Sequence, residues 1–243
     1  ARLRVGEPAY WERRYTTRDK GDSQDDVDDR GAGWLCQYAG PLQQTLVSVT
    51  REDRTRRILN LGCGVDRLSE DVYADGFHNL VSVDIAPAAI KEMQSRTADQ
   101  MPDAKWLVDD ALGLDLASQS VDVVVDKGTL GGILALPAPF TSAMQALGEV
   151  QRVLKVEGSY LLAISSAGES EAQLLPLLAL PHLSMNVQRT PDLGGYFLFV
   201  CTKLEEMAPD MYSAKFSEAK VWAEDRDREH QAREWAEVEA VGQ

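Results

Sequence analysis

Positive charge, cysteine and long apolar runs are all scarce in this chain, and each shortage removes a class of function. Only 25 lysines and arginines stand against 39 acidic residues, a net charge of −14 over 243 residues. General affinity for nucleic acid rests on neutralising phosphates, so no nucleic-acid partner is expected. A solvated acidic surface, or docking on a basic protein, suits this balance. No run of about 18 apolar residues occurs, so no membrane span is expected. The richest stretch, residues 174–183, is interrupted by Pro176 and Pro181. The three cysteines, Cys36, Cys63 and Cys201, are odd in number and lack metal-site spacing. They read as buried thiols in a reducing compartment, with no metal. The chain opens at Ala1 and shows no secretory leader. That points to a processed or trimmed cytoplasmic protein, with organellar import after loss of a leader as the alternative.

What is present suffices for one sizeable α/β domain with extensions. Its organising stretch is Arg56-Arg57-Ile58-Leu59-Asn60-Leu61-Gly62-Cys63-Gly64, followed twenty residues later by Asp84 at the end of Leu80-Val81-Ser82-Val83-Asp84. A short apolar run ending in Gly-x-Gly predicts a buried strand that turns sharply into a helix. The glycines let backbone approach a ligand, and the second run ends in a carboxylate suited to paired hydroxyls. This is the outline of a nucleoside site at the carboxyl edge of a parallel sheet.

Upstream, Pro8-Ala9-Tyr10-Trp11-Glu12-Arg13-Arg14-Tyr15 predicts a short helix opening after proline. Residues 19–29 are dense in aspartate and predict an exposed loop. Residues 34–49 carry apolar positions at helical spacing, with Pro41 marking a kink or a new first turn. From there strands are expected at 58–61, 80–84, 105–108, 121–125, 159–164, 185–189 and 196–201. Helices are expected at 68–75, 87–98 and about 140–154. The last two strands lie close in sequence and predict an antiparallel hairpin. The fold class is therefore α/β: a doubly wound, seven-stranded, mostly parallel sheet with a C-terminal helical extension. Three regions are expected: residues 1–50 as an N-terminal lid and helix with an acidic loop, 51–204 as the ligand-binding domain, and 205–243 as an acidic helix. Residues 224–231 are polar on every face, which argues against packing on a core. Trp222 and Trp235 flank them, so this helix either projects into solvent or docks on a protein partner.

Four blocks carry a family resemblance. They are Tyr10-Trp11-Glu12-Arg13-Arg14-Tyr15, Leu61-Gly62-Cys63-Gly64, Leu68-Ser69-Glu70 and Val123-Val124-Val125-Asp126-Lys127-Gly128-Thr129-Leu130. With them the chain resembles class I S-adenosylmethionine-dependent methyltransferases, and within these the methyltransferase-like group that includes lysine methyltransferases of elongation factor one-alpha. The resemblance implies a Rossmann-like methyltransferase fold, S-adenosylmethionine as cofactor and a lysine side chain of a protein substrate as methyl acceptor, and the acidic surface suits a basic substrate. It implies cofactor contacts from Leu61, Gly62, Cys63, Gly64, Asp84, Ile85, Asp110, Ala111 and Asp126. Trp11, Arg14 and Tyr15 would form a lid in which Arg14 pairs with the cofactor carboxylate. Asp126 and Lys127 would stand at the reacting centre, with Asp126 orienting the acceptor ammonium or favouring its loss of a proton. Three plainer readings stand beside these: Asp84 as a helix cap, Asp110 as an ordinary acidic turn, and the lid aromatics as mere packing.

The chain departs from the family pattern twice. Val65-Asp66 replaces the usual Asn-Ser after Gly64, placing a negative charge near the anion-favouring helix start. Gly131-Gly132 follows Leu130 where the family carries aspartate. These features favour the alternative of a catalytically weakened subunit of a larger assembly. Intact Gly62, Gly64, Asp84 and Asp126 favour the enzyme. A small-molecule acceptor has no supporting signature, and the Asn-Pro-Pro-Tyr motif of amide and adenine methyltransferases is absent at residues 126–129.

Overall fold

A computed structural model describes residues 5–17, 35–166, 171–190 and 193–241. The aspartate-rich stretch at 19–29, Trp34 and part of the 190–195 connection lie outside the described residues. The strands are β1 (Ile58–Leu61), β2 (Leu80–Asp84), β3 (Lys105–Val108), β4 (Val121–Lys127), β5 (Leu154–Ser165), β6 (Met185–Arg189) and β7 (Tyr196–Lys203). The helices are α1 (Pro8–Thr17), α2 (Pro41–Val49), α3 (Leu68–Ala74), α4 (Pro87–Thr97), α5 (Thr129–Ile133), α6 (Pro139–Val153), α7 (Glu171–Leu178) and α8 (Pro209–Val241).

The seven strands form one sheet in the order β3-β2-β1-β4-β5-β7-β6. Neighbours from β3 to β5 pair in parallel, while β7 runs antiparallel to both β5 and β6. The alternation of side chains along each strand divides the core into two layers. Leu59, Val124, Leu162 and Phe199 face α5 to α8. Ile58, Val123, Val125, Leu161 and Leu198 face the other way, towards Leu42 and Leu46 of α2 and Leu68 and Val72 of α3. Both faces of β1, β2 and β4 are buried, which explains their continuous apolar runs. Each fully buried leucine or isoleucine contributes roughly 1.5–3 kcal/mol. A buried polar chain crosses the central strands: Asn60 Nδ2 donates to Ser69 Oγ at 2.8 Å, and Ser69 Oγ lies 2.9 Å from Ser82 Oγ.

Pro41 opens α2 as its first residue rather than kinking a longer helix. The short α5 was not anticipated. Among the described residues no helix is long and apolar enough to cross a membrane.

The C-terminal helix corrects an expectation. Residues 224–231 are mostly exposed, as expected, but not on every face: α8 lies along α6, with Ala219 and Ala223 buried and Asp227 only 6% exposed. Alanines four apart let the two backbones approach, and Asp227 is accommodated because it bonds the start of α6. Trp222 packs edge-on against Phe140, whereas Trp235 is 71% exposed. Lys203, fully buried, donates to the carbonyls of Gln151 and Leu154 at 2.9 and 2.8 Å and closes the end of α6.

Candidate functional site

The carboxyl ends of β1, β2 and β4 meet at a cavity of about 230 Å³. This is where the order of an open α/β sheet places its ligand. After β1 the chain turns through Gly62 and Gly64, with φ of 64° and 51°. A Cβ on Gly62 would fall 2.0 Å from Thr129 Oγ1, and one on Gly64 would fall 2.7 Å from the Tyr15 hydroxyl. The glycines thus admit close approach from both sides. Thr129 Oγ1 donates to the Leu61 carbonyl at 2.8 Å, and Cys63 N–H donates to the Val83 carbonyl at 2.9 Å, so the loop is pinned to both neighbouring strands.

Asp84 closes the loop from β2. Its Oδ2 accepts from Gly64 N–H at 2.8 Å and its Oδ1 from Ala86 N–H at 2.9 Å. Each oxygen keeps acceptor capacity toward the cavity that it lines. Burial raises its carboxyl above the ordinary range, while the amides of Ala86 and Gly64 pull it back. Asp84 is therefore not a cap of α4. That helix has Ala86 at its N-cap, and its early amide on Ala88 donates to Glu12 Oε2 of α1 at 3.0 Å. Glu12 stands within the N-terminal motif, but nothing local in the sequence announces this role.

Helix α1 lies over the cavity. Trp11 and Tyr15 stack at 6.2 Å, and both side chains, with Arg14, line the wall. Val65, buried with Ala86, Ala89 and Met93, supports them from below. Gly132 lies beside the lid, where a Cβ would stand 3.4 Å from the Trp11 ring, and a Cβ on Gly131 would make ordinary contact with Ile164 at 3.8 Å. On the far side, Asp110 is exposed and its Oδ1 accepts from Leu112 N–H at 2.9 Å, an aspartate turn that leaves Asp110 and Ala111 on the rim.

Lys127 also lines the cavity, yet it is only 7% exposed. Its Nζ pairs with Asp66 Oδ1 at 3.0 Å and donates to the Cys36 carbonyl at 3.3 Å. The charge that Asp66 brings to the helix start is thereby matched by a neighbour.

The cavity wall thus joins Trp11, Arg14, Tyr15, Leu61, Gly62, Cys63, Gly64, Asp84, Ile85, Asp110, Ala111 and Lys127. Asp126 is the exception and does not line the cavity. Its carboxylate is 1% exposed and lies behind the wall. Oδ1 accepts from Thr129 N–H at 2.7 Å, and Oδ2 accepts from the Tyr160 hydroxyl at 2.8 Å and from Leu130 N–H at 3.1 Å. Burial lifts its carboxyl to about 6, against the downward pull of the Tyr160 hydroxyl and the amides of Thr129 and Leu130. Gly128, at φ 96°, turns the chain so that this side chain faces the start of α5. Asp126 thus ties the end of β4 to the start of α5 and to β5.

Comparison with known proteins gives one family and one fold. A family model described as a methyltransferase domain matches residues 52–225. The chain is 35% identical over 167 residues to EEF1A lysine methyltransferase 4 of Mus musculus, covering 65% of this chain and 60% of that protein. It is 37% identical over 107 residues to the eEF1A lysine and N-terminal methyltransferase homolog of Drosophila melanogaster, covering 43% of this chain and 16% of that one. The chain therefore spans less than two thirds of either relative. A TehB-like SAM-dependent methyltransferase from Corynebacterium glutamicum superposes with a TM-score of 0.55 at 18% identity, over 81% of this chain and all of that one. A SAM-dependent methyltransferase from Aquifex aeolicus gives 0.55 at 11% identity, over 82% and 99% of the two chains.

Proposed function

This chain belongs to the methyltransferase-domain family, and on that premise we propose that it transfers a methyl group to a lysine side chain of a protein. Its cofactor is S-adenosylmethionine. The carrying observation is the cavity at the carboxyl ends of β1, β2 and β4, which Gly62, Gly64 and Asp84 line together, the carboxylate held in place by the Gly64 and Ala86 amides. Asp84 would hold the ribose hydroxyls, the glycine loop the amino-acid portion, Arg14 the cofactor carboxylate, and Asp110 with Ala111 the adenine. When bound, the cofactor supplies an electrophilic methyl group on a sulfonium. The chain's own contribution is alignment and exclusion of water by Trp11 and Tyr15, the proximity effect on which an in-line displacement depends.

The two relatives are named for methylation of elongation factor 1A, which makes an elongation-factor lysine the first acceptor to try. A basic substrate suits the net charge of −14. That charge also speaks against a nucleic-acid acceptor. Three free, buried cysteines suit a reducing, cytoplasmic setting. The direct test is transfer of labelled methyl from S-adenosylmethionine to recombinant elongation factor 1A, followed by mapping of the modified residue. Label on lysine supports the proposal; a loaded, folded protein that labels neither this factor nor any protein of a cell extract sinks it.

A second reading, a structural subunit with weakened catalysis, draws on the missing aspartate at Gly131 and on the solvent-facing Trp235 near the end of α8. Cofactor binding without methyl transfer, together with a stable partner lost on Trp235→Ala, would favour it.

A further inference from the structure

Helix α6 starts without a cap of its own, since Ala138 at its N-cap offers no side-chain acceptor. Its first amides are satisfied from the C-terminal helix instead. Phe140 N–H donates to Asp227 Oδ1 at 2.8 Å, Thr141 N–H to Oδ2 at 3.1 Å, and the Thr141 hydroxyl to the same oxygen at 2.5 Å. A carboxylate at this end of a helix is favoured by both the free amides and the dipole. Trp222 and His230, on either side of Asp227 along α8, set their ring edges against Phe140 at 5.9 and 6.4 Å. Three residues of α8 thus clasp the first turn of α6.

The clasp lies immediately after residues 134–138, which connect α5 to α6. At its α5 end this connection is tied by Leu134 N–H to the Leu130 carbonyl and by Leu136 N–H to the Ile133 carbonyl. Leu136 lines the cavity. It also stands beside the segment that leads into the lid helix: a Cβ on Gly6 would meet Leu136 at 3.1 Å and the Gly132 carbonyl at 2.4 Å. A five-residue connection anchored at both ends has little slack, so the position of Leu136 depends on where α6 begins.

We propose that Asp227 is a positioning residue for the cavity: by holding the first turn of α6 it fixes the 134–138 connection, and through Leu136 the seat of the N-terminal lid. Asp227 lies beyond the residues that the family model matches, 52–225. The proposal rests on the methyltransferase reading, and its test separates the two.

The full chain is compared with Asp227→Ala, Asp227→Asn, Thr141→Val and, as a control on the same helix, Trp235→Ala. Calorimetric titration with S-adenosylhomocysteine gives affinity, and peptide-resolved hydrogen exchange gives local order. Asp227→Ala is expected to weaken binding about tenfold, the usual scale of coupling between sites. Exchange in residues 131–138 should accelerate at least about tenfold while peptides from β1 and β4 keep wild-type protection. Asparagine keeps one acceptor oxygen for the Phe140 amide but sets an –NH2 donor against the Thr141 amide, so Asp227→Asn should recover only part of the affinity lost in Asp227→Ala. Thr141→Val removes one donor and leaves the carboxylate, so it should fall between; if Asp227→Ala does not fold, this variant decides. Trp235→Ala should match wild type.

Unchanged affinity in Asp227→Ala or Thr141→Val with unchanged exchange in 131–138 overturns the proposal. So does an even loosening of the whole domain, which would mean a cap for stability alone. If wild-type protein fails to bind S-adenosylhomocysteine, the methyltransferase reading falls instead, and the clasp is then judged on whether accelerated exchange is confined to 131–138.

Discussion

Replacing Lys127 by methionine removes the ammonium that faces Asp66 at 3.0 Å, in a pair whose side chains are 5% and 12% exposed. Breaking such a buried pair from one side strands the other charge, at a cost of roughly 3–5 kcal/mol. Asp66 keeps the Leu68 N–H at 2.8 Å, so the low end applies, and Lys127→Met should lose about 3 kcal/mol of stability. Asp66→Asn leaves the ammonium with the Cys36 carbonyl and should lose about 2 kcal/mol. In the double variant neither charge is stranded, so its loss should also be about 2 kcal/mol, a coupling of roughly 3 kcal/mol. Urea unfolding of the four proteins measures this cycle. A second readout is chemical: without the Lys127 ammonium, more of the Asp66 charge bears on the cavity that it lines. Lys127→Met should therefore weaken S-adenosylhomocysteine by about tenfold, an energy of ~1.4 kcal/mol, and the double variant should recover it. Single losses that simply add, to within about 0.5 kcal/mol, would refute the pairing as the reason this chain tolerates aspartate after its glycine loop.

Two further outcomes follow from the same coordinates. Gly62→Ala combines a left-handed φ of 64° with a Cβ 2.0 Å from an anchored threonine hydroxyl; it should cost about 3 kcal/mol in a urea melt and abolish cofactor binding, whereas Gly113→Ala, with no atom within 4 Å, should be close to neutral. His182 is fully buried between the rings of Tyr212 and Phe216, and neither ring nitrogen makes a well-formed hydrogen bond. Burial pushes its imidazole from 6.5 down to about 4, against a smaller upward pull from the Met144 backbone. Because the folded value lies below the unfolded one, the unfolded chain takes up the proton first; stability is full above pH 6.5 and is lost as pH falls toward 4, by about 3 kcal/mol in all. His182→Phe should flatten that part of the stability curve, and an unchanged slope would contradict the assignment.

The parts of this molecule that were legible in the sequence are those whose causes are local. Runs such as Ile58-Leu59 and Val123-Val124-Val125 mark buried parallel strands because both faces must be apolar. Gly62 and Gly64 mark the turn because few other residues accept their φ. Asp84 lines the cavity because a strand end fixes its position. Asp126 does not line it, because Gly128 turns the chain just beyond the strand, and period-two alternation no longer says where the carboxylate points. The remaining surprises are bonds between distant segments. Glu12 reaches Ala88, and Asp227 reaches Phe140 and Thr141. Such partners leave no trace in local spacing. Asp227 departs from its otherwise solvated stretch for the same reason: a carboxylate on a polar helix reads as exposed unless its bonding partners are known.

The most direct test of the account is calorimetric titration of the intact protein with S-adenosylmethionine and S-adenosylhomocysteine, alongside Asp84→Ala. Asp84 accepts from Gly64 and Ala86 and is assigned both ribose hydroxyls. Its loss removes two charge-assisted hydrogen bonds of roughly 1.5–3 kcal/mol each, so affinity should fall at least about a hundredfold while the protein stays folded. Micromolar binding to wild type that vanishes in the variant is the predicted result. Folded wild-type protein that binds neither ligand, or a variant that binds as tightly as wild type, would contradict the site proposed for this cavity.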